Sequence, residues 1–181
     1  SDLYIGIYRL SRKRWLKMVE VIDNFLDKET FRKIQAGILT DEYFPWYFSS
    51  VVDFKGEKDF DKTQFAHVFY NHNSPNSKHL DLLTPIIQKL ECISLIKIKV
   101  NNNYYTNKII EGSYHVDNEH KGTTTAVYYL NTNDGYTKFK KTEKKISSVE
   151  NRMVIFNTDT EHLGTTTTNN KRRVVLNFNY F

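Results

Sequence analysis

Cysteine is almost absent from this 181-residue chain, with Cys92 its single instance. An intrachain disulfide is thereby excluded, and so are thiolate-built zinc and iron–sulfur sites. Any metal must be held by histidine and carboxylates. No stretch approaches the roughly 18 to 20 uninterrupted apolar residues that cross a bilayer. The opening Ser1-Asp2-Leu3-Tyr4 lacks the basic-then-apolar pattern of a secretion signal. These absences lead us to expect a cytoplasmic protein in a reducing compartment, with no membrane association. Repeats and low-complexity linkers are missing too, and 39% hydrophobic with 14% aromatic residues is enough for one substantial core. The expected organisation is one domain over residues 1–181, with helical and strand support over about 1–92 and a β-core over about 93–181.

The net charge is +5. Basic residues gather at Arg9, Arg12, Lys13, Arg14 and Lys17, and again at Lys138, Lys140, Lys141, Lys144 and Lys145. Such clusters can be a nucleic-acid footprint or solvated faces that maintain solubility. Glu143 inside the second cluster favours the solvated face.

Residues 18–26 read as a short strand, after which Asp27 stands at a helix N-cap position. Phe31, Ile34, Ile38 and Leu39 recur at helical spacing up to Thr40-Asp41. Trp46-Tyr47-Phe48, leading to Val51-Val52, looks like a strand, residues 55–62 like a polar loop, and residues 71–78 like a turn-rich connector. Leu83, Ile86, Ile87 and Leu90 predict a second helix, with Pro85 in its first turn or at its boundary. From residue 93 the pattern becomes alternating: Ile96, Ile98 and Val100 interleave with Lys97 and Lys99. Strand-like segments follow at 124–130, 136–140, 153–157 and 173–181, joined by Asn/Asp/Gly/Thr-rich turns. Helices first and short strands afterwards argue for a sandwich or barrel, not βαβ units.

In His115-Val116-Asp117 two metal-ligating residues are separated by one, so both side chains lie on the same side of an extended chain. His162 follows the strand-like 153–157, and the intervening strands could return it beside the first pair. Together they form the two-histidine, one-carboxylate set of non-haem iron oxygenases, which leaves coordination positions open for a bidentate cosubstrate and O₂. His120 is a local competitor, but it sits in the polar turn Asn118 to Gly122. Arg173 opens the apolar strand that ends the chain, where a guanidinium could neutralise the second carboxylate of a chelated ketoacid with two parallel hydrogen bonds. Arg172 must face the opposite way, so only one of the two can do this.

With these residues in place the chain resembles the Fe(II)/2-oxoglutarate oxygenase superfamily. The likeness runs through His115 to Asn118, Ala126 to Asn131, Asp134 to Phe139, His162-Leu163-Gly164 and Arg173 to Phe181. Within it the chain is most similar to the prolyl-hydroxylase-like branch, and there to small oxygenases of marine bacteriophages, for which Asn133 to Phe139, Asn151 to Phe156 and Arg173 to Phe181 are the most telling stretches. Coverage is good from about Ile93 onward, and Val21 to Glu29 looks like the family's approach to its first helix.

The resemblance implies a double-stranded β-helix (jelly-roll) core with flanking N-terminal helices, a mainly β, α+β fold. It implies Fe(II) on His115, Asp117 and His162, with 2-oxoglutarate and O₂ as cosubstrates and ascorbate as a reductant. Tyr129 stands where the family often places a hydrogen bond to the 2-oxoglutarate carboxylate beside the arginine. Tyr105 falls where related prolyl hydroxylases have another cosubstrate-contacting tyrosine, although strand register favours Asn103. The family commonly has two glycines, or a Gly-Glu pair, near Asp134-Gly135-Tyr136; here only Gly135 remains.

The implied reaction converts 2-oxoglutarate to succinate and CO₂ and hydroxylates a peptidyl residue, prolyl first, or a small metabolite, in a monomer or homodimer in the cytoplasm (the host's, if phage-encoded). Two alternatives stay open. One is a metal-binding jelly-roll without oxygenase activity. The other is an oxygenase that reaches nucleic acid through its basic face, with Trp46-Tyr47-Phe48 stacking on bases, against which those aromatics would be core.

Overall fold

The final strand carries both halves of the architecture. In the computed structural model, which describes residues 19–50, 63–118 and 120–181, β11 (Arg172–Tyr180) lies mid-sheet, with Val174, Leu176, Phe178 and Tyr180 buried on one side. On the other side stand Arg173, Val175, Asn177 and Asn179, because successive side chains of a strand point to opposite faces. The large sheet runs β1 (Glu20–Ile22), β9 (Met153–Asn157), β6 (Thr124–Tyr129), β11, β5 (Leu95–Tyr104), β3 (Thr63–Asn71), β2 (Tyr47–Ser50), with β4 (Ser74–Pro75) paired to β3. All of its pairings are antiparallel. A smaller sheet of β10 (His162–Gly164), β7 (Tyr136–Phe139) and β8 (Lys145–Ser147) faces it.

The helices cover one face of the large sheet. Helix α1 (Lys28–Leu39) starts at Asp27, whose carboxylate accepts from the Thr30 amide at 2.9 Å, and it buries Phe31, Ile34 and Ile38. A 3₁₀ turn (Leu80–Leu83) leads into α2 (Thr84–Lys89), whose early Pro85 needs no amide partner in a first turn. Leu83, Ile86 and Leu90 join the same cluster as Ile98, Val100, Tyr128 and Leu176. Between the sheets lies a second cluster of Val127, Tyr129, Phe139, Ile146, Val154, Phe156 and Val175. Strand β6 feeds both clusters by strict alternation.

The structure has the expected mixed α+β, jelly-roll type of architecture, with differences in detail. Strand β3, which sequence reading passed over, is nine residues long and sits between β2 and β5. Its mixed string Thr-Gln-Phe-Ala-His-Val-Phe-Tyr-Asn hides the alternation, because His67 is buried on the apolar side, where its Nδ1–H donates to the Pro45 carbonyl and its Nε2 meets the Ser77 hydroxyl. The lysine-rich segment 138–145 is part of a β7–β8 hairpin, and three of its five lysines meet acidic partners: Lys138 meets Glu143 at 2.7 Å, Lys140 meets Glu161 at 2.6 Å and Lys145 meets Glu111 at 3.9 Å. Trp46 packs on Phe44, but Tyr47 and Phe48 are 63% and 67% exposed, so the core reading holds for only one of the three aromatics. The first basic cluster, Val51-Val52 and the 55–62 loop fall outside the described residues.

Asn151 joins the two ends of the fold. Its side chain accepts from the Leu26 amide at 3.0 Å and donates to the Leu26 carbonyl at 2.8 Å, and its amide oxygen also accepts from the Tyr128 hydroxyl. It does so from a left-handed backbone at φ 61°, where asparagine is tolerated far better than alanine. Asn151→Ala should therefore cost about 2–4 kcal/mol, from buried groups left unpaired plus backbone strain. A loss of unfolding free energy in urea titrations of less than a quarter of that amount would contradict this account.

Candidate active site

Two peptide bonds bring the histidines together. His115 and His162 form an antiparallel bridge in which each amide donates to the other's carbonyl at 3.0 Å. This register sets both imidazoles on one side, with ring centroids 4.7 Å apart. His115 Nδ1 lies 3.1 Å from the Ser113 carbonyl and His162 Nδ1 lies 2.9 Å from the Thr160 carbonyl. A carbonyl can only accept, so each Nδ1 carries the proton and each Nε2 presents a lone pair. Those Nε2 atoms converge on Asp117 Oδ1, at 3.6 Å from His115 and 3.8 Å from His162.

Asp117 is fixed from behind. Its other oxygen, Oδ2, accepts from Thr125 Oγ1 at 3.0 Å and from the side-chain amides of Asn177 and Asn179, each at 3.1 Å. Burial opposes ionisation, yet the adjacent imidazoles and the Asn177 amide outweigh it and hold this carboxyl well below the usual range. The three ligand-type atoms all lie within 4.8 Å of one another and could hold a metal ion. Neither His120 nor any other histidine, cysteine or carboxylate joins such a group among the described residues.

A cavity of about 320 Å³ opens in front of the triad, between the small sheet and the faces of β5 and β11. Arg173 lines it while only 2% exposed. Its guanidinium donates to Ser148 Oγ at 2.8 Å, Thr137 Oγ1 at 3.2 Å and the Thr165 carbonyl at 3.4 Å, and lies 5.6 Å from the centre of the Tyr129 ring. All these partners are neutral, and no carboxylate pairs with it among the described residues. Burial alone pulls its basicity down. A buried cation without a counter-ion has a large desolvation cost to recover, which an anionic ligand supplies.

The remaining sequence candidates are placed as follows. Tyr129 is fully buried and does not line the cavity; its hydroxyl donates to Thr137 Oγ1 at 2.8 Å. Burial pushes its hydroxyl's pKa up. Tyr105 is not brought to the cavity at all: it is 49% exposed, its hydroxyl on Asn107, because β5 ends at Tyr104 and the chain turns outward. Asn103 lines the cavity instead and donates to the Thr165 carbonyl at 3.2 Å. Arg172 points to the other face and donates to the Leu39 carbonyl at the end of α1.

Sequence reading missed Thr137. Its hydroxyl oxygen accepts from both Tyr129 and Arg173, which uses both lone pairs and leaves its own proton for a molecule in the cavity. The one signal in the sequence was its place two residues before Phe139, which sets both on one strand face. Asn101 and Asn177 were also missed as cavity residues, and each holds a buried side-chain oxygen without a partner.

Residues 101–181 match the sequence model of the 2OG-Fe(II) oxygenase superfamily. No protein of curated function matches the chain. Its fold is similar to that of a viral collagen prolyl hydroxylase from Paramecium bursaria Chlorella virus-1 solved with 2-oxoglutarate, at 15% identity and a TM-score of 0.58 over 91% of this chain and 96% of that one. A prolyl hydroxylase from Trichoplax adhaerens, in complex with a hypoxia-inducible-factor peptide fragment, superposes with a TM-score of 0.65 at 11% identity, covering 100% of this chain and 94% of that one. The α-ketoglutarate-dependent epimerase SnoN of nogalamycin biosynthesis gives 0.63 at 14% identity, covering 98% and 83%.

Residues 101–181, a little under half of the chain, are thus similar to the 2OG-Fe(II) oxygenase core. The cavity fits that assignment on its own chemistry: two imidazoles and a carboxylate suit Fe(II), and an uncompensated buried guanidinium suits the far carboxylate of 2-oxoglutarate. Gly135 gives Arg173 its path in this cavity, since a Cβ there would meet Arg173 Cδ at 2.5 Å and the Thr166 carbonyl at 2.7 Å. Gly135→Ala should weaken 2-oxoglutarate binding by about tenfold to a hundredfold, the equivalent of a 1–3 kcal/mol overpacking cost. Iron affinity should be unchanged in the same calorimetric titrations; a loss of both would mean that the substitution disturbs the whole site.

Proposed function

We propose that the oxygenase hydroxylates a peptidyl residue, with prolyl as the leading case, using His115, Asp117 and His162 as iron ligands and Arg173 as the anchor for 2-oxoglutarate. The observation that carries this reading is the uncompensated, buried Arg173 at one end of a cavity whose wall holds the convergent triad. Bound there, Fe(II) with 2-oxoglutarate and O₂ supplies the oxidising power, releasing succinate and CO₂, with ascorbate as a reductant.

The chain's own residues orient and insulate. The carbonyls behind His115 and His162 fix the tautomer and the ring planes. Thr125, Asn177 and Asn179 hold Asp117 so that Oδ1 faces the imidazoles. Thr137 and Arg173 together offer donors to one carboxylate, while Tyr129 acts one step removed by holding Thr137. Phe139 and Phe156 pack around the His162 ring, 6.2 and 4.8 Å away by centroid, and keep water from that side.

The peptidyl assignment is supported by fold likeness to prolyl hydroxylases, and a small-metabolite substrate by likeness to SnoN. Kinship with marine-phage enzymes, and a host-cytoplasm location, rest on the sequence stretches. No helix among the described residues is long and apolar enough to cross a membrane. Arg173 and Thr137 distinguish this reading from an inert metal-binding jelly-roll, which would need neither.

The deciding experiment is anaerobic addition of Fe(II) and then 2-oxoglutarate, read as the weak visible charge-transfer band of the chelate. The band should form in the wild type, vanish in His162→Ala, and require at least about tenfold more 2-oxoglutarate in Arg173→Ala, from loss of a charge-assisted bidentate contact. Arg172→Ala should leave the requirement unchanged. A band that survives His162→Ala, or a requirement that tracks Arg172, would overturn the ligand and anchor assignments.

A further inference from the structure

On one edge of β11, a side chain holds the backbone around Arg173. Strand β6 ends at Tyr129, and the Leu130 amide still donates to the Val174 carbonyl at 3.0 Å. One residue further on, the Asn131 carboxamide accepts from the Val174 amide at 2.9 Å and donates to the Arg172 carbonyl at 2.7 Å. The peptide links on both sides of Arg173 therefore close on a single side chain, while on the other edge Arg173 lies opposite Asn103 of β5. Because a carboxamide offers the same donor and acceptor as a peptide unit, the main chain can leave the sheet here without orphaning the backbone of β11. It turns through Thr132 and Asn133 and brings Gly135 against the Arg173 side chain.

Asn133, which is buried, completes the arrangement. Its Nδ2 donates to the Asn131 carbonyl at 3.1 Å, its Oδ1 accepts from the Gly135 amide at 2.9 Å, and its own amide donates to the Ser148 carbonyl at 3.1 Å. The Ser148 amide in turn donates to the Gly135 carbonyl at 2.9 Å, and Ser148 Oγ accepts from Arg173 Nε at 2.8 Å. One side chain thus ties together the asparagine that holds the backbone around Arg173, the glycine that its stem passes, and the serine whose hydroxyl meets its Nε. The passage is narrow: a Cβ on Gly135 would lie 2.5 Å from Arg173 Cδ and 2.8 Å from Asn133 Oδ1. The carboxamide and the arginine stem therefore flank the same glycine.

A ligand gripped at both ends measures the distance between its grips. The His115–His162 bridge and the donors behind Asp117 fix one of them. The other is the point at which the Arg173 guanidinium stops. We propose that Asn131 and Asn133 form a carboxamide clasp that fixes how far Arg173 reaches into the cavity, and so make the protein select the five-carbon 2-oxo diacid over its shorter and longer homologues. This rests on the reading of Arg173 as the 2-oxoglutarate anchor and adds the residues that set its reach. Both asparagines are positioning residues, since neither lines the cavity. Both are neutral, so they place the guanidinium without supplying the charge that its ligand brings. Without the clasp the guanidinium would sample several positions, which weakens the grip on the matched diacid and improves the relative fit of the mismatched ones.

The test titrates the full chain, loaded anaerobically with Fe(II), with oxaloacetate, 2-oxoglutarate and 2-oxoadipate, each one methylene longer than the last, and reads the charge-transfer band. The wild type should favour 2-oxoglutarate over either homologue by about tenfold or more. Asn131→Ala and Asn133→Ala should each weaken 2-oxoglutarate by about tenfold and narrow that preference to below about threefold, with Fe(II) affinity unchanged. Asn151→Ala removes a comparable carboxamide that does not line the cavity, and it should lower stability while keeping the preference. A preference kept in both Asn131→Ala and Asn133→Ala, or narrowed as much in Asn151→Ala, would overturn the proposal. Amide exchange followed by NMR in the unsubstituted protein, with Zn(II) as a diamagnetic stand-in, gives a second reading that no loss of fold can void. If clasp and ligand act through the same arginine, each stabilises the other. Saturating 2-oxoglutarate should then slow the Val174 and Gly135 amides by about fivefold or more, and the Leu26 amide, held by Asn151 in the same manner, by less than about twofold. Equal slowing of all three, or none, leaves the asparagines a purely structural role and sinks the idea. An Arg173→Ala protein with the wild-type 2-oxoglutarate requirement overturns the anchor assignment and this proposal with it. A raised requirement there, with the preference intact in both clasp variants, overturns the clasp alone.

Discussion

Strand β11 has to satisfy two incompatible environments at once, and the rest of the molecule follows from how it does so. On the helix side, after Arg172 at its entry, it is apolar: Val174, Leu176, Phe178 and Tyr180. On the cavity side it is charged at one end, amidic at the other, and apolar only at Val175. A one-residue slip in its pairing would bury two asparagines and an arginine beneath α1 and expose the apolar face to the cavity. Neighbours on both edges, β5 and β6, lock the register over nine and six residue pairs, so the strand that carries Arg173 and the Asp117 supports is held from both sides.

Two sets of polar groups on the cavity side of β11 follow from this. One surrounds Asp117 and consists of neutral donors that leave a single oxygen exposed to the imidazoles. The other surrounds Arg173 and consists of neutral acceptors that orient the guanidinium without discharging it. The contrast is functional. An acid already surrounded by donors stays ionised and ready for a cation, whereas a base given only neutral acceptors retains its appetite for an anion.

Much of this was legible in the chain. His115-Val116-Asp117 revealed its shared face because one intervening residue is enough to define a side. Arg173 and Arg172 could be told apart by the same rule, and the Asp27 cap by its position before an apolar helical stripe. What escaped was information held in pairing between distant segments. Strand β3 contains a buried histidine whose partners, Pro45 and Ser77, are supplied by other parts of the chain. Thr137 is an unremarkable strand threonine until Tyr129 and Arg173 both point at it. Tyr105 looked well placed by residue count, but the end of β5 one position earlier carries it outside.

The mutual bridge between His115 and His162 has a further consequence for metal choice. Because backbone hydrogen bonds, rather than the ion, set the spacing of the two rings, little of the site has to be built when a cation arrives. A preformed pair of imidazoles with one carboxylate discriminates weakly among divalent first-row ions, whose intrinsic affinities rise from manganese through iron to copper. Iron occupancy is then a property of supply in the cell more than of the pocket, and nickel, copper or zinc would act as inhibitors by displacement wherever they are free in comparable amounts.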